Sequence, residues 1–137
     1  MNLLKTYIKR GLIYSRHSIK SEDLISNFIE NLFQMMNQSE SCFVVMAVYF
    51  ERLMQKHSSL VNENNLLRLI FASGMIAIKV QEDFSYKNSY FAQVSGISSK
   101  EINYLEIHFL DWIEYKLFVR REDYDICYYR LIKLALI

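Results

Sequence analysis

The stretch "CFVVMAVYF", Cys42 to Phe50, is an unbroken run of nine apolar residues and decides the fold. A membrane-spanning helix needs about 20 predominantly apolar residues, so this run is too short to cross a bilayer. The segment that contains it, Ser41 to Gln55, is apolar on nearly every side at its beginning, which is typical of a helix enclosed by other helices. We therefore predict a central buried helix here and expect no membrane partner.

The composition favours an all-α fold in one domain. The chain has 137 residues, of which 52% are hydrophobic, with three glycines and no proline. This length is sufficient to enclose a hydrophobic core. Sandwiches and barrels need many tight turns, in which glycine and proline are common, so the scarcity of both argues against those folds.

The charge balance limits the classes of partner. Sixteen basic and 15 acidic residues give a formal net charge of +1. Proteins that bind nucleic acid through its phosphates usually carry a larger basic excess, so nucleic acid is not the expected partner. Residues 1–23 are locally basic, because Lys5, Lys9, Arg10, Arg16 and Lys20 precede the first acidic residue, Glu22. We interpret them as a solvated extension or docking arm, with a transit peptide or a contact with anionic membrane as the alternatives; a signal-peptide pattern is not found.

The two cysteines, Cys42 and Cys127, are far apart in the sequence and lie among apolar or aromatic residues. A disulfide framework would require more cysteines at closer spacing. We predict two buried free thiols in a reducing compartment.

Polar clusters divide the chain into helix-length segments. Ser98 and Glu101 form a capping-box pattern that predicts a helix start, and Gly96 is suited to end the preceding helix in a left-handed conformation. The predicted helices span residues 24–36, 41–55, 64–82, 88–94, 98–116 and 122–136.

The sequence offers no set of residues for catalysis. His17, His57 and His108 share no ligand-like spacing with one another or with the cysteines, so we expect no metal site. The glycines stand singly and cannot form a phosphate-binding loop, and no serine or cysteine lies in a nucleophile motif. We expect a protein that is not an enzyme and binds no cofactor.

Two charged residues interrupt apolar helix faces. Lys79 follows Met75 and Ile76 by about one turn, and Glu106 follows Ile102 by about one turn. An unpaired carboxylate on a buried face is costly. Lys79 can extend its ammonium group to solvent or pair with Asp83 at i,i+4, and Glu106 can pair with a tyrosine or lysine at the edge of the core. A third interpretation pairs Lys79 with Glu106, or both with one partner backbone, across two packed helices.

With these helices placed, the sequence resembles a cyclin box, and most closely those of the P-type (U-type) cyclins. The similarity covers residues 24–117. It rests on several motifs in the family's order: Phe50-Glu51-Arg52, Arg68, Lys79, Glu82-Asp83, Tyr86-Lys87-Asn88 and Gly96-Ile97-Ser98. The resemblance implies a single five-helix cyclin box at residues 24–117, after the 1–23 extension and before a C-terminal helix at residues 118–137.

The resemblance also implies a function. Cyclins bind and activate cyclin-dependent serine/threonine kinases, and the lysine of their third helix and the glutamate of their fifth hydrogen-bond the kinase near its regulatory helix. These residues match Lys79 and Glu106. Side chains that pack on the kinase helix match the positions Ile76, Val80, Tyr115 and Leu117. The implied mechanism is allosteric: the kinase helix moves inward, its glutamate pairs with the lysine that orients ATP, and the activation loop is released.

The sequence departs from the family at two positions that usually join the first two helices. Asn31 stands at the arginine position and Glu51 at the aspartate position, with Arg68 as one conceivable replacement partner. The alternative function is a cyclin-fold adaptor or transcription-factor-like scaffold that does not activate a kinase. In the absence of the kinase, we also expect a homodimer in which a second copy covers the apolar kinase-binding face. We expect the protein in the nucleus, the cytoplasm or both.

Overall fold

The computed structural model of the protein describes residues 30–32, 34–36, 39–62, 64–81 and 86–135, and these residues form helices and the turns between them. The predicted all-α fold class is confirmed. The basic extension at residues 1–23 and the beginning of the predicted first helix lie outside the described residues. In chain order the helices are α1 (residues 30–32 and 34–35), α2 (Glu40–His57), α3 (Leu66–Gln81), α4 (Asn88–Ser95), α5 (Ser99–Trp112) and α6 (Arg121–Ala135), with a 3₁₀ turn, Ser58–Leu60, after α2.

Helices α2 and α3 form the centre of the core. The apolar run that predicts a central helix lies in α2, which buries eight of its side chains. Helix α3 is more completely enclosed, because every residue from Leu69 to Ile78 is buried. Its sequence over this stretch, "LIFASGMIAI", contains no charged residue, and its one hydroxyl, that of Ser73, donates to the Ile70 carbonyl at 2.7 Å. The core thus has two central helices, α2 and α3, where the sequence predicted one.

Gly74 permits the close approach of helix α1 to α3. A Cβ atom placed on Gly74 would lie 2.8 Å from Met36 Cε, 3.0 Å from Leu32 Cδ1 and 3.3 Å from Met46 Sδ. The first two distances are shorter than normal van der Waals contact. Glycine at this position therefore lets side chains from the α1 segment and α2 pack directly on the α3 backbone.

Capping residues mark three of the helix ends. Ser39 caps α2 by accepting from Cys42 N at 3.3 Å, and Ser98 caps α5 by accepting from Glu101 N at 3.2 Å. Gly96 ends α4 in the left-handed region, with φ of 76°. The predictions for Ser98 and Gly96 are confirmed, since both satisfy backbone groups that a helix end leaves unpaired.

Helix α5 ends at Trp112, four residues before its predicted end at residue 116. The next turn contains two left-handed residues that are not glycine, Glu114 with φ of 59° and Tyr115 with φ of 55°. Tyr115 N donates to Leu110 O at 2.8 Å, which is the bond that closes a Schellman-type helix end. Apolar periodicity extends through this turn and for that reason did not mark the helix end.

Helix α6 packs on α2 and completes the core on that side. Cys127 of α6 is buried with its sulfur 4.0 Å from Val44 O, and both Cys127 and Cys42 are free thiols, as predicted. Burial raises the pKa of the Cys127 thiol to about 12. None of the helices in the described ranges is both long and apolar enough to cross a membrane.

Candidate functional site

Lys79 lies in the last turn of α3, where the buried part of the helix ends. It directly follows the buried Ile78, and its side chain is 25% exposed. A cation is favourable in the last turn of a helix, because the helix dipole is negative there. The position therefore suits lysine, yet most of its side chain remains covered.

Glu106 of α5 meets this ammonium group. Lys79 Nζ lies 2.5 Å from Glu106 Oε2, and the glutamate side chain is 19% exposed. Of the interpretations left open by periodicity, the pairing of Lys79 with Glu106 across two helices is confirmed. The alternative partner Asp83 lies outside the described residues.

Asn88, the first residue of α4, is the third member of the cluster. Its Oδ1 accepts from Lys79 Nζ at 2.5 Å, and its Nδ2 donates to Glu106 Oε1 at 3.0 Å and to Asn103 Oδ1 at 2.7 Å. The three elements α3, α4 and α5 are thus joined by side-chain hydrogen bonds at one point. We refer to Lys79, Asn88, Asn103 and Glu106 as the polar cluster.

Aromatic side chains lie next to the Lys79 ammonium group of the polar cluster. Lys79 Nζ lies 5.7 Å from the ring centroid of Phe91, which is fully buried. This distance is within the range of a cation–π attraction. Phe91 makes edge contacts with Phe71, Tyr86 and Tyr90 at centroid distances of 6.5, 6.0 and 5.5 Å. The position of the ammonium group is therefore restricted by rings as well as by hydrogen bonds.

The polar cluster retains hydrogen-bonding capacity for another molecule. An ammonium group has three donors and a carboxylate has about four acceptor positions. Lys79 uses two donors, on Glu106 and Asn88, and Glu106 accepts two bonds, from Lys79 and Asn88. Among the residues that the structure describes, no third partner occupies the remaining lysine donor, and half of the carboxylate's acceptor positions are likewise unused. The opposite charges cancel locally, so the site favours polar backbone groups over a strongly charged ligand.

Exposed apolar side chains adjoin the polar cluster. Val80 and Ile107, the sequence neighbours of Lys79 and Glu106, are 46% and 60% exposed. Exposed apolar area next to a polar group with unused hydrogen-bonding capacity is typical of a protein interface.

The remaining predicted contact residues occupy different environments. Ile76 belongs to the hydrophobic core and is 2% exposed, so its side chain is not presented on the protein surface. Tyr115 is 61% exposed in the left-handed turn after α5. Leu117 is partly buried and packs against the core.

Helix α2 holds the turn that carries Tyr115. Tyr49 Oη donates to Leu117 O at 2.7 Å, Arg52 Nη1 donates to Lys116 O at 2.6 Å, and Lys56 Nζ lies 2.6 Å from Glu114 Oε1. Hydrogen bonds from Lys56 and Lys116 lower the pKa of Glu114. Burial raises the pKa of Tyr49, although Arg52 opposes the shift, so the phenol remains a donor. These contacts fix a turn whose backbone conformation is otherwise unfavourable.

The two departures from the family pattern have structural consequences. Glu51 accepts from Arg130 Nη1 of α6 at 2.6 Å, whereas Arg68 pairs with Glu101 Oε1 at 3.3 Å. Arg68 is therefore not the replacement partner of Glu51. Asn31 is exposed on α1. Glu51 instead links α2 to Arg130 of the C-terminal helix, because α6 packs beside α2, a tertiary relationship that spacing within the sequence did not reveal.

Sequence reasoning identified Lys79 and Glu106 but missed Asn88 and Asn103 as members of the same site. The signal for Asn88 was present in the "YKN" turn, residues 86–88, which was read only as a subgroup marker. Asn103 carried no signal, because an exposed amide on a helix is ordinary. The described residues contain no group of three or more histidine, cysteine, aspartate or glutamate side chains that could hold a metal ion.

Comparison with known proteins supplies the family context. The sequence model of the Cyclin family matches residues 11–117, a range that begins before residue 24 and ends at residue 117. Cyclin-U4-1 of Arabidopsis thaliana is 40% identical over 102 residues, which cover 74% of this chain and 50% of the relative. Cyclin-P4-1 of Oryza sativa subsp. japonica is 41% identical over 94 residues, 68% of this chain and 44% of the relative. The chain thus spans about half the length of these curated relatives. No solved structure gives a significant match.

Proposed function

The chain belongs to the cyclin family, and from that premise we propose that it is a regulatory subunit that binds and activates a cyclin-dependent serine/threonine kinase. The protein itself then catalyses no reaction. Its contribution is to supply a rigid surface against which the regulatory helix of the kinase is held in the active position.

The observation that carries the proposal is the Lys79–Glu106 pair. The pair is held by three helices, is partly exposed and, within the described part of the chain, has one donor and two acceptor positions without a further partner. Val80 and Ile107 place apolar surface beside it. A partner helix that offers polar backbone groups at one end and apolar side chains along one face would satisfy both features at once.

The turn after α5 extends the proposed surface. Tyr115 is exposed there, and its position is fixed by the contacts of Tyr49, Arg52 and Lys56 with the turn. An aromatic side chain presented on a fixed backbone loses little conformational entropy on binding, which makes it a suitable interface anchor.

Affinity purification of the tagged chain from its native source tests the proposal. We expect a cyclin-dependent kinase to co-purify and to phosphorylate a peptide substrate. Lys79→Ala and Glu106→Ala should each lower kinase binding, because each removes a charged group that we propose hydrogen-bonds the kinase, and the loss of such a contact at an interface costs about 2–5 kcal/mol. Arg68→Ala is the matched control, since Arg68 also joins α3 to α5 through Glu101 but lies away from the polar cluster.

If the kinase binds the chain without gaining activity, the chain is a non-activating adaptor and the proposed activation is wrong. Retained kinase binding in both Lys79→Ala and Glu106→Ala would refute the proposed interface. We further propose that the free chain self-associates through the same surface, which light scattering would detect as a dimer that the kinase dissociates. Fluorescence imaging of the tagged chain tests the proposed nuclear or cytoplasmic location.

A further inference from the structure

We propose that Asn88 is a positioning residue for kinase binding: its side-chain amide fixes the Lys79–Glu106 pair in the geometry that the partner recognises. This inference rests on the proposed function and adds a residue and a role to it. Asn88 need not contact the kinase, since it acts through the two charged side chains.

The hydrogen bonds of Asn88 fix the orientation of its amide. Both Nδ2 donors are used, on Glu106 Oε1 at 3.0 Å and Asn103 Oδ1 at 2.7 Å, and Oδ1 accepts from Lys79 at 2.5 Å. A flipped amide would point its acceptor at the oxygens of Glu106 and Asn103 and its donors at the lysine ammonium group. The network is therefore compatible with one orientation only.

Asn88 also determines which group binds each carboxylate oxygen of Glu106. One carboxylate oxygen accepts from Lys79 and the other from Asn88. Without the amide, the carboxylate can rotate about its last side-chain bond and Lys79 can follow it, because a single ion pair does not define the plane of the carboxylate. The amide thus converts a flexible ion pair into a fixed arrangement of one donor and two acceptor positions.

The local structure of α4 shows that Asn88 does not serve its own helix. The N-cap position is occupied by Lys87, whose side chain makes no capping hydrogen bond. Asparagine is among the best N-cap residues, so its location one position later forgoes a favourable local interaction. A local rule that is broken in favour of a contact between elements is expected at functional positions.

Two substitutions at this position test the inference, with Ser89→Ala as the control because Ser89 is the exposed next residue of the same helix. Asn88→Ala removes all three hydrogen bonds, and Asn88→Asp keeps the side-chain shape but replaces the donors by an acceptor. The probe is a purified cyclin-dependent kinase that binds the unaltered chain, and the dissociation constant is measured by calorimetry. Both variants should bind at least about tenfold more weakly, with Ser89→Ala unchanged.

The pH dependence separates positioning from a general loss of structure. Of the charged groups in the described ranges, those that share a hydrogen bond with Asn88 are Lys79 and Glu106. In Asn88→Asp the introduced carboxyl faces Glu106, and protonation at low pH restores an O–H donor toward it. Between about pH 8 and pH 5, the affinity of Asn88→Asp relative to Asn88→Ala should therefore rise, provided that both variants remain folded by circular dichroism.

The outcomes distinguish failure of the inference from failure of the proposed function. If Lys79→Ala weakens kinase binding while both Asn88 variants bind within about twofold of the unaltered chain, the positioning role is wrong and the interface stands. A loss of affinity that only tracks the unfolded fraction, or a pH-independent ratio of the two Asn88 variants, also overturns the inference. If neither Lys79→Ala nor Glu106→Ala affects binding, the proposed function itself fails.

Discussion

Lys79 Nζ lies 2.5 Å from Glu106 Oε2 and joins two residues that are 27 positions apart in the sequence. The contact joins the last turn of α3 to the middle of α5. The pair stabilises the fold by joining two helices. Because both side chains remain partly exposed, it is also accessible to a partner.

The pair should make a measurable contribution to stability. Lys79→Ala or Glu106→Ala leaves one charge partly desolvated, and each should lower the free energy of unfolding by about 1–2 kcal/mol, less than for a fully buried pair. A double-mutant cycle in urea should give a coupling energy of about 1 kcal/mol. Additive effects of the two substitutions would show that the pair does not contribute to folding.

Gly74→Ala and Gly96→Ala should both destabilise the protein, for different reasons. At Gly74 the new methyl group would lie 2.8 Å from Met36 Cε, so the core is overpacked and about 1–3 kcal/mol is lost, partly offset by alanine's helix propensity. At Gly96 nothing lies within 4 Å, but φ of 76° costs a residue with a Cβ about 1 kcal/mol. Urea unfolding measures both. In a Met36→Ala background, which makes space for the methyl group but is itself destabilising, the cost of Gly74→Ala should fall, whereas the cost of Gly96→Ala should not change.

Cys127 should be unreactive in the folded protein. Its pKa, raised to about 12 from 9.0 by burial, keeps the thiol protonated at neutral pH. Reaction with a thiol reagent at about pH 8 should therefore follow unfolding. The folded state binds the proton more tightly than the unfolded state, so this contribution to stability is complete below about pH 9 and is lost as pH rises toward about 12. Comparison of Cys127→Ala with the unaltered chain over this range isolates the effect, and identical pH dependence would contradict it.

Tyr49→Phe tests whether α2 holds the turn after α5. The change removes the 2.7 Å donation to Leu117 O without altering the shape of a fully buried ring. We expect a loss of about 1 kcal/mol in the free energy of unfolding. Kinase binding should also weaken by a few-fold because Tyr115 is less well fixed, whereas Tyr124→Phe, a tyrosine that packs on the core from α6, serves as the control. Unchanged stability and binding in Tyr49→Phe would show that the turn holds its conformation alone.

The sequence predicted the features that depend on local pattern. The apolar run located α2, polar clusters bounded the segment that contains α3, and an apolar face indicated α5. The capping residues Ser98 and Gly96 marked helix ends, because these signals act within one or two helical turns. Lys79 and Glu106 were recognisable because a charge at the edge of an apolar face requires a partner.

Features that depend on tertiary packing were not predictable in the same way. The pairing of Glu51 with Arg130 follows from the position of α6 beside α2, and the role of Asn88 follows from the meeting of three helices. The early end of α5 was missed because Glu114 and Tyr115 adopt left-handed conformations without the glycine that usually signals them. There, side chains of α2 and the Tyr115–Leu110 hydrogen bond outweigh local preference.

Kinase activation measured with purified components tests the central claim most directly. A cyclin-dependent kinase would be assayed on a peptide substrate with the unaltered chain, Lys79→Ala, Glu106→Ala and the Arg68→Ala control at equal concentration. The account predicts that the unaltered chain and Arg68→Ala stimulate phosphorylation equally, and that each change in the pair lowers stimulation at least about tenfold. Equal stimulation by all four proteins would contradict the assignment of the Lys79–Glu106 pair as the kinase-binding site.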